Sequence, residues 1–251
     1  MLFNYHTHTK LCGHATGETR EYVEKAIQAG LKTLGFSDHA PYPFPIQNET
    51  AYEKAEQHLF SYANEVRALA KEYEKDIRIL CGFEVEYFPS LHQQEKAFLN
   101  QVQPDYLILG QHFIGDENNG NHVYKSEQNG VLTAYVAQAI EGLSTGDFLY
   151  LAHPDMVGWN SDADKAQGEY RRLCALAKQK NIPLELNLLG LRGKRCYPSL
   201  AFFKIAAEVG NDVVLGVDAH SPDAFLHTES VQTALQWVQE LGLHLIEKPF
   251  L

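Results

Sequence analysis

Short, β-prone apolar runs alternate along this chain with longer stretches in which apolar positions recur at the three- and four-residue spacing of a helix. The runs predict strands near 2–8, 32–38, 77–86, 105–112, 147–152, 183–188 and 213–218. The longer stretches predict helices near 19–29, 51–74, 91–101, 131–144, 164–180, 198–209 and 223–240, giving seven strand-helix units. A final apolar stretch, Leu243-His244-Leu245-Ile246, is a candidate short strand. Such alternation calls for a parallel sheet covered by helices. No glycine-rich nucleotide fingerprint follows the first strand, so a closed α/β barrel fits better than an open dinucleotide fold. Two connections are too long to be simple turns: Pro41-Tyr42-Pro43-Phe44-Pro45, and the segment from Gly115 to Gly130. Both follow a histidine at a strand end and are expected to overhang the barrel mouth.

The length of 251 residues, with nothing that reads as a linker, predicts one domain over 1–251 around one sizeable core. Hydrophobic residues at 45% and charged residues at 21% exclude a disordered chain. The formal charge of −11 argues against sequence-independent binding to a nucleic-acid backbone, which needs a basic surface. A small anion stays compatible if metal ions supply local positive charge. The apolar runs are too short to cross a bilayer, and the amino terminus passes directly into a strand carrying His6, so a cytoplasmic protein is expected. Cys12, Cys81, Cys174 and Cys196 are irregularly spaced and read as reduced thiols. Cys12, between His8 and His14, reads as a small loop residue, with approach to a metal as its other reading.

The candidate chemistry lies at the ends of the apolar runs. His6 and His8, His39, Glu84, His112, His153, then Asp218 and His220 close one run after another, and His14 lies in the loop after the first pair. Twelve histidines will put some near strands by accident, but seven of them fall in this setting, whereas His58, His92, His122, His227 and His244 do not. Strand ends of a barrel converge on one mouth, so scattered residues can form one site. His6 and His8, two apart in a strand, point to one face, as do Asp218 and His220. Asp38 and His39 point to opposite faces, which makes His39 the ligand and Asp38 a group that supports a ligand or touches substrate. Glu84 can bridge two cations through its two oxygens, as an imidazole cannot, while Glu86 reads as a solvated or hydrogen-bonded carboxylate.

The series His6-x-His8, His14, Asp38-His39, Glu84, His112, His153-Pro154-Asp155 and Asp218-Ala219-His220 resembles the polymerase-and-histidinol-phosphatase (PHP) family over the whole chain. The resemblance implies a distorted seven-stranded β/α barrel with three divalent ions, of zinc, manganese or iron. It places His6, His8, Glu84 and Asp218 on one ion, Glu84, His112 and His153 on a second, and His14, His39 and His220 on a third. The implied activity is phosphomonoester hydrolysis, a hydroxide shared by two ions attacking phosphorus, with histidinol phosphate of histidine biosynthesis as the leading substrate. Asp38 and Asp155 are candidates to protonate the leaving oxygen, beside Glu84 and Asp218 as catalytic carboxylates. The stretch Asn187-Leu188-Leu189-Gly190-Leu191-Arg192 resembles histidinol-phosphatase members, making Arg192 the first choice for a bidentate phosphate contact, with Arg195 and Lys194 behind it. Those members carry a basic residue soon after the position of His153. Here none appears before Lys165, and Trp159 offers an aromatic face to a leaving group instead. Two other readings are a phosphodiesterase, which the same cluster would permit, and a catalytically inactive metal-binding regulatory protein.

Overall fold

A parallel ladder runs through most of the expected strands in the computed structural model, which describes residues 1–43, 55–115, 121–126, 128, 130–158 and 163–251. Strands β1 (Phe3–Asn4), β2 (Thr33–His39), β3 (Arg78–Val85) and β4 (Tyr106–Leu109) form one parallel sheet in chain order. After a small antiparallel hairpin, β5 (Phe113–Ile114) with β6 (Asn121–His122), the ladder resumes in β7 (Leu184–Asn187), β8 (Asp212–Gly216) and β9 (His244–Leu245). Among the described residues eight α-helices lie between: α1 (Thr19–Gln28), α2 (Ala55–Glu72), α3 (His92–Leu99), α4 (Val131–Ser144), α5 (Ala163–Lys180), α6 (Leu188–Arg192), α7 (Leu200–Val209) and α8 (Thr228–Leu241). The portion of the expected second helix at 51–54 lies outside the described residues, as does Trp159.

The two parallel sheets curl toward each other and meet at two seams. At one seam Leu151 bridges Leu109 on one side and Leu184 on the other. At the other, Thr7 pairs with Ala219, and His8 N–H donates to the Ala219 carbonyl at 2.9 Å. The strand expected over 147–152 therefore survives as a single bridging residue. His153 follows with φ 28°, and Pro154 has no N–H to donate, so the extended run cannot continue past Ala152. β1 is likewise shorter than the expected 2–8. Where β8 begins it pairs with β9 instead of β1, and Phe250 fills the gap by packing its ring 5.7 Å from Phe3 and 5.3 Å from Tyr5. The result is a barrel distorted at one side.

Two apolar layers hold it. One joins the outer faces of the strands to the helices through residues such as Phe36, Phe83, Tyr62 and Phe203. The other fills the barrel interior with Phe3, Tyr5, Leu80, Tyr106, Ile108, Tyr150, Ala152 and Val214. The buried Tyr106 hydroxyl donates to the carbonyls of Tyr5 (2.7 Å) and Phe36 (2.9 Å), so its polar tip is satisfied. This aromatic floor closes the barrel beneath the mouth.

Candidate metal centre

Each strand delivers its last residues to the same end of the barrel. Asn4, fully buried, donates to the His6 carbonyl and the Thr7 hydroxyl and so fixes the segment that carries His6 and His8. His39 closes β2 and stands in register opposite Glu84 on β3. Gly110 follows β4, and a Cβ there would run into the Glu84 carboxylate, so only glycine leaves room for that side chain. His153 and Asp218 both have positive φ, 28° and 48°, a costly backbone for either residue that aims their side chains into the mouth.

Glu84 lies at the centre, nearly fully buried. Its Oε2 faces His6 Nε2 (3.5 Å), His8 Nε2 (3.4 Å) and His39 Nδ1 (3.2 Å), while its Oε1 faces His153 Nε2 (2.8 Å) and His112 Nε2 (3.7 Å). Asp218 Oδ1 stands 3.6 Å from His6 Nε2, 3.3 Å from His8 Nε2 and 3.2 Å from His220 Nδ1. Elsewhere imidazole nitrogens face one another, His6 Nε2 and His8 Nε2 at 3.1 Å and His14 Nε2 and His220 Nε2 at 2.9 Å. A cavity of about 590 Å³ opens over this cluster, lined among others by His8, Cys12, His14, His39, Glu84, His112, Tyr124, His153, Arg195, Tyr197, Asp218 and His220.

The donor set fits divalent cations. Buried atoms of His8 (Nδ1), Glu84 (Oε2), His153 (Nδ1) and Asp218 (Oδ1) have no hydrogen-bond partner, a costly arrangement unless something cationic satisfies them. Ring nitrogens and carboxylate oxygens of His6, His8 and Glu84, of His6, His153 and Asp218, and of His8, His39 and His220 each lie within 4.8 Å of one another. Imidazole and carboxylate together suit zinc, manganese or iron.

The electrostatics match a cluster built around two anions. Burial opposes charge on His8 and on His112, yet carboxylates outweigh it and push each up to about 9: Asp218, Asp38 and Glu84 for His8, Glu84 and Glu86 for His112. His6 is pushed well above its ordinary value against the same burial, by Glu185, Asp218 and Glu84. Burial alone would raise Glu84 and Asp218, but the surrounding imidazoles hold both well below the usual carboxylate range. His39, where burial dominates, is lowered, and so is His14.

Supporting groups lie one layer below, and one of them, Glu185, is not singled out by the sequence. Glu185, fully buried in β7, accepts from His6 Nδ1 (2.7 Å), His153 N–H (2.9 Å) and Asn187 Nδ2 (2.8 Å). Asn187 also donates to Asp218 Oδ2 (3.0 Å). The available signal was a carboxylate between Leu184 and Leu186 in an apolar strand, since a buried charge must have partners. Glu86 accepts from the N–H groups of His112 and Phe113, from Gln111 and from His112 Nδ1, the hydrogen-bonded carboxylate expected of it.

Asp38 is fully buried, accepts from the Thr9 hydroxyl and sits 3.5 Å from His8 Nδ1, behind a ligand candidate rather than on the cavity wall. Asp155 is also off the wall: Ser199 N–H donates to it at 2.6 Å, and burial pushes its carboxyl up to about 7. The two arginines exchange places relative to expectation. Asn187 Oδ1 accepts from Gly190 N–H and caps α6, and this unforeseen turn of helix carries Arg192 round to donate to the carbonyls of Val217 and Asp218. Arg195 lines the cavity, its guanidinium donating to the Tyr197 hydroxyl at 2.7 Å. Described residues of both long connections, Pro41 and Tyr42, and His122 and Tyr124, line the opening, together with Phe113 of β5.

Residues 4–188 match the PHP domain family model. A Deinococcus radiodurans protein described as a probable histidinol-phosphatase is 28% identical over 228 residues, spanning 88% of this chain and 87% of its own. The histidinol-phosphatase of Bacillus subtilis is 32% identical over 120 residues, 45% of each chain. Among solved structures, the histidinol phosphate phosphatase of Lactococcus lactis, complexed with zinc, L-histidinol and phosphate, superposes with a TM-score of 0.75. It covers 98% of this chain and 95% of its own at 19% identity, a likeness of fold.

Proposed function

The chain belongs to the PHP domain family, and from that premise we propose that it is a metal-dependent phosphomonoester hydrolase acting on L-histidinol phosphate, with water as co-substrate and L-histidinol and phosphate as products. The observation that carries this reading is Glu84, whose two oxygens divide five imidazoles into two sets. His6, His8, Glu84 and Asp218 would hold one ion, Glu84, His112 and His153 a second, and His14, His39 and His220 a third. Divalent ions so placed lower the pKa of water, neutralise phosphate oxygens and stabilise the leaving oxygen. The zinc, histidinol and phosphate of the Lactococcus relative support the choice of ion and substrate. So does the name carried by the two relatives matched in sequence.

The rest of the chemistry belongs to this chain's own side chains. Glu185 and Glu86 take the outward N–H groups of His6 and His112, which fixes both tautomers and leaves each Nε2 lone pair facing inward. Arg195 presents a cation on the cavity wall where a terminal phosphate would lie, and Tyr197 holds the guanidinium in place. Tyr124 and Tyr197, with ring centroids 6.0 Å apart, give an aromatic wall against which an imidazole of the substrate can pack. Asp38 steadies His8, and with Asp155 lies off the wall, so neither meets the leaving oxygen directly. The reading takes 1–251 as one PHP unit in the cytoplasm. Four unpaired thiols suit a reducing compartment, and among the described residues no helix is long and apolar enough to cross a membrane.

A panel of phosphomonoesters and diesters assayed with zinc-loaded protein tests the proposal. L-Histidinol phosphate is expected to give the highest kcat/KM, and a preference for diesters would overturn it.

A further inference from the structure

We propose that Cys12 is a sulfur donor to the ion position formed by His14 and His220, which makes that position selective for zinc over manganese; the proposal rests on reading the cluster as a metal centre. The Cys12 Sγ and a ring nitrogen of each histidine lie within 4.8 Å of one another. His14 Nδ1 donates to the Cys12 carbonyl at 3.1 Å, which leaves the His14 Nε2 lone pair pointing at His220 Nε2, 2.9 Å away. Two nitrogens that close need a proton or a cation between them. On a common tetrahedral zinc they would stand about 3.3 Å apart, and each about 3.6 Å from a sulfur, so small adjustments suffice.

The sulfur also borders the buried cluster: a ring nitrogen of His8, a carboxylate oxygen of Asp38 and Cys12 Sγ lie within 4.8 Å of one another, and His8 and Asp38 are fully buried. The sulfur is held there by its loop: Thr9 accepts from Leu11 N–H and caps the single 3₁₀ turn Lys10–Cys12, while its hydroxyl donates to Asp38. As the sulfur–metal bond forms, the thiol proton passes to solvent. A thiolate is a softer donor than imidazole or carboxylate, which favours zinc over manganese.

The test uses the full chain, stripped of metal and titrated with cobalt(II). Cobalt bound through sulfur shows a near-ultraviolet charge-transfer band that nitrogen and oxygen donors do not give. The band is expected in the native protein and in Cys196→Ser, and should vanish in Cys12→Ser at equal cobalt content. In competition, Cys12→Ser should lower the preference for zinc over manganese by about ten-fold or more, the scale of losing one ligand-side interaction at a metal. A band retained in Cys12→Ser, or absent from fully loaded native protein, overturns the proposal and leaves the metal centre standing. A native protein that takes up no cobalt contradicts both.

Discussion

Replacing Glu185 with glutamine keeps the shape of the side chain and removes only its charge and one acceptor, which makes it a sharp probe of the layer beneath the ligands. The carboxylate serves three donors, His6 Nδ1, His153 N–H and Asn187 Nδ2. With the amide oxygen kept toward His6, the amide NH₂ faces His153 N–H and Asn187 NH₂, so two buried donors lose their acceptor. With the amide turned round, NH₂ meets His6 Nδ1, the imidazole adopts its other tautomer, and its Nε2 carries a proton into the centre. Sliding aside is no escape, because the carboxylate already packs against Gly216, where a Cβ would collide with it. Each unsatisfied donor costs about 1–3 kcal/mol, so metal-free Glu185→Gln should melt at a lower temperature than metal-free native protein. Disturbed support of a ligand typically costs about 10- to 100-fold in metal affinity, or ~1.4–2.7 kcal/mol. Zinc affinity would be read by competition with a chromophoric chelator, beside melts of both proteins without metal. Zinc binding indistinguishable from the native protein would show that Glu185 does not orient the ligands, and the reasoning would fail.

Gly110→Ala should displace the Glu84 carboxylate and lower metal content while the barrel still folds, as elemental analysis and circular dichroism would show; full metal content would contradict the close approach at Glu84. Arg195→Ala should cut kcat/KM for monoesters about ten-fold or more, as loss of a charge-assisted phosphate contact worth ~1.5–3 kcal/mol requires, with metal content unchanged. Arg192→Ala should act mainly on stability, through the lost donations to Val217 and Asp218, and an equal loss of kcat/KM in both variants would reject the exchange of roles. In metal-free protein, His8 and His112 are pushed from 6.5 up to about 9, and raised values stabilise the fold fully below the unfolded value. That contribution is lost as pH rises through the folded value, so the melting temperature without metal should fall between about pH 6.5 and pH 9, and a flat or rising profile would contradict it.

The ligand candidates were legible because chemistry and periodicity coincide: a histidine or carboxylate that ends an apolar run must sit at a strand end, and parallel strands bring their ends together. Parity sorted His39 from Asp38 for the same reason, and in the structure His39 faces Glu84 while Asp38 lies behind His8. Glu185 escapes because its role depends on partners from the segment after β1 and from the segment after Leu151, which no local pattern reveals. The sequence puts Arg192 ahead of Arg195 because the stretch Asn187 to Arg192 at the end of β7 resembles histidinol-phosphatase members. An asparagine cap at Asn187 winds that stretch into α6 and turns the first arginine inward. The strand expected at 147–152 is reduced to the bridge at Leu151, and the positive φ of His153 with the proline after it ends the extended run at Ala152, details of backbone that apolar periodicity does not carry.

This cluster of side chains should hydrolyse a phosphomonoester only when it holds metal. The most direct measurement is phosphate release from L-histidinol phosphate as zinc is added stepwise to chelator-stripped protein, with Glu84→Ala in parallel. Stripped protein should be inactive, activity should rise to a plateau as the centre fills with three ions, and Glu84→Ala should stay inactive at every zinc level while remaining folded. Full turnover in verified metal-free protein, no turnover in fully loaded protein, or native activity in loaded Glu84→Ala would contradict it.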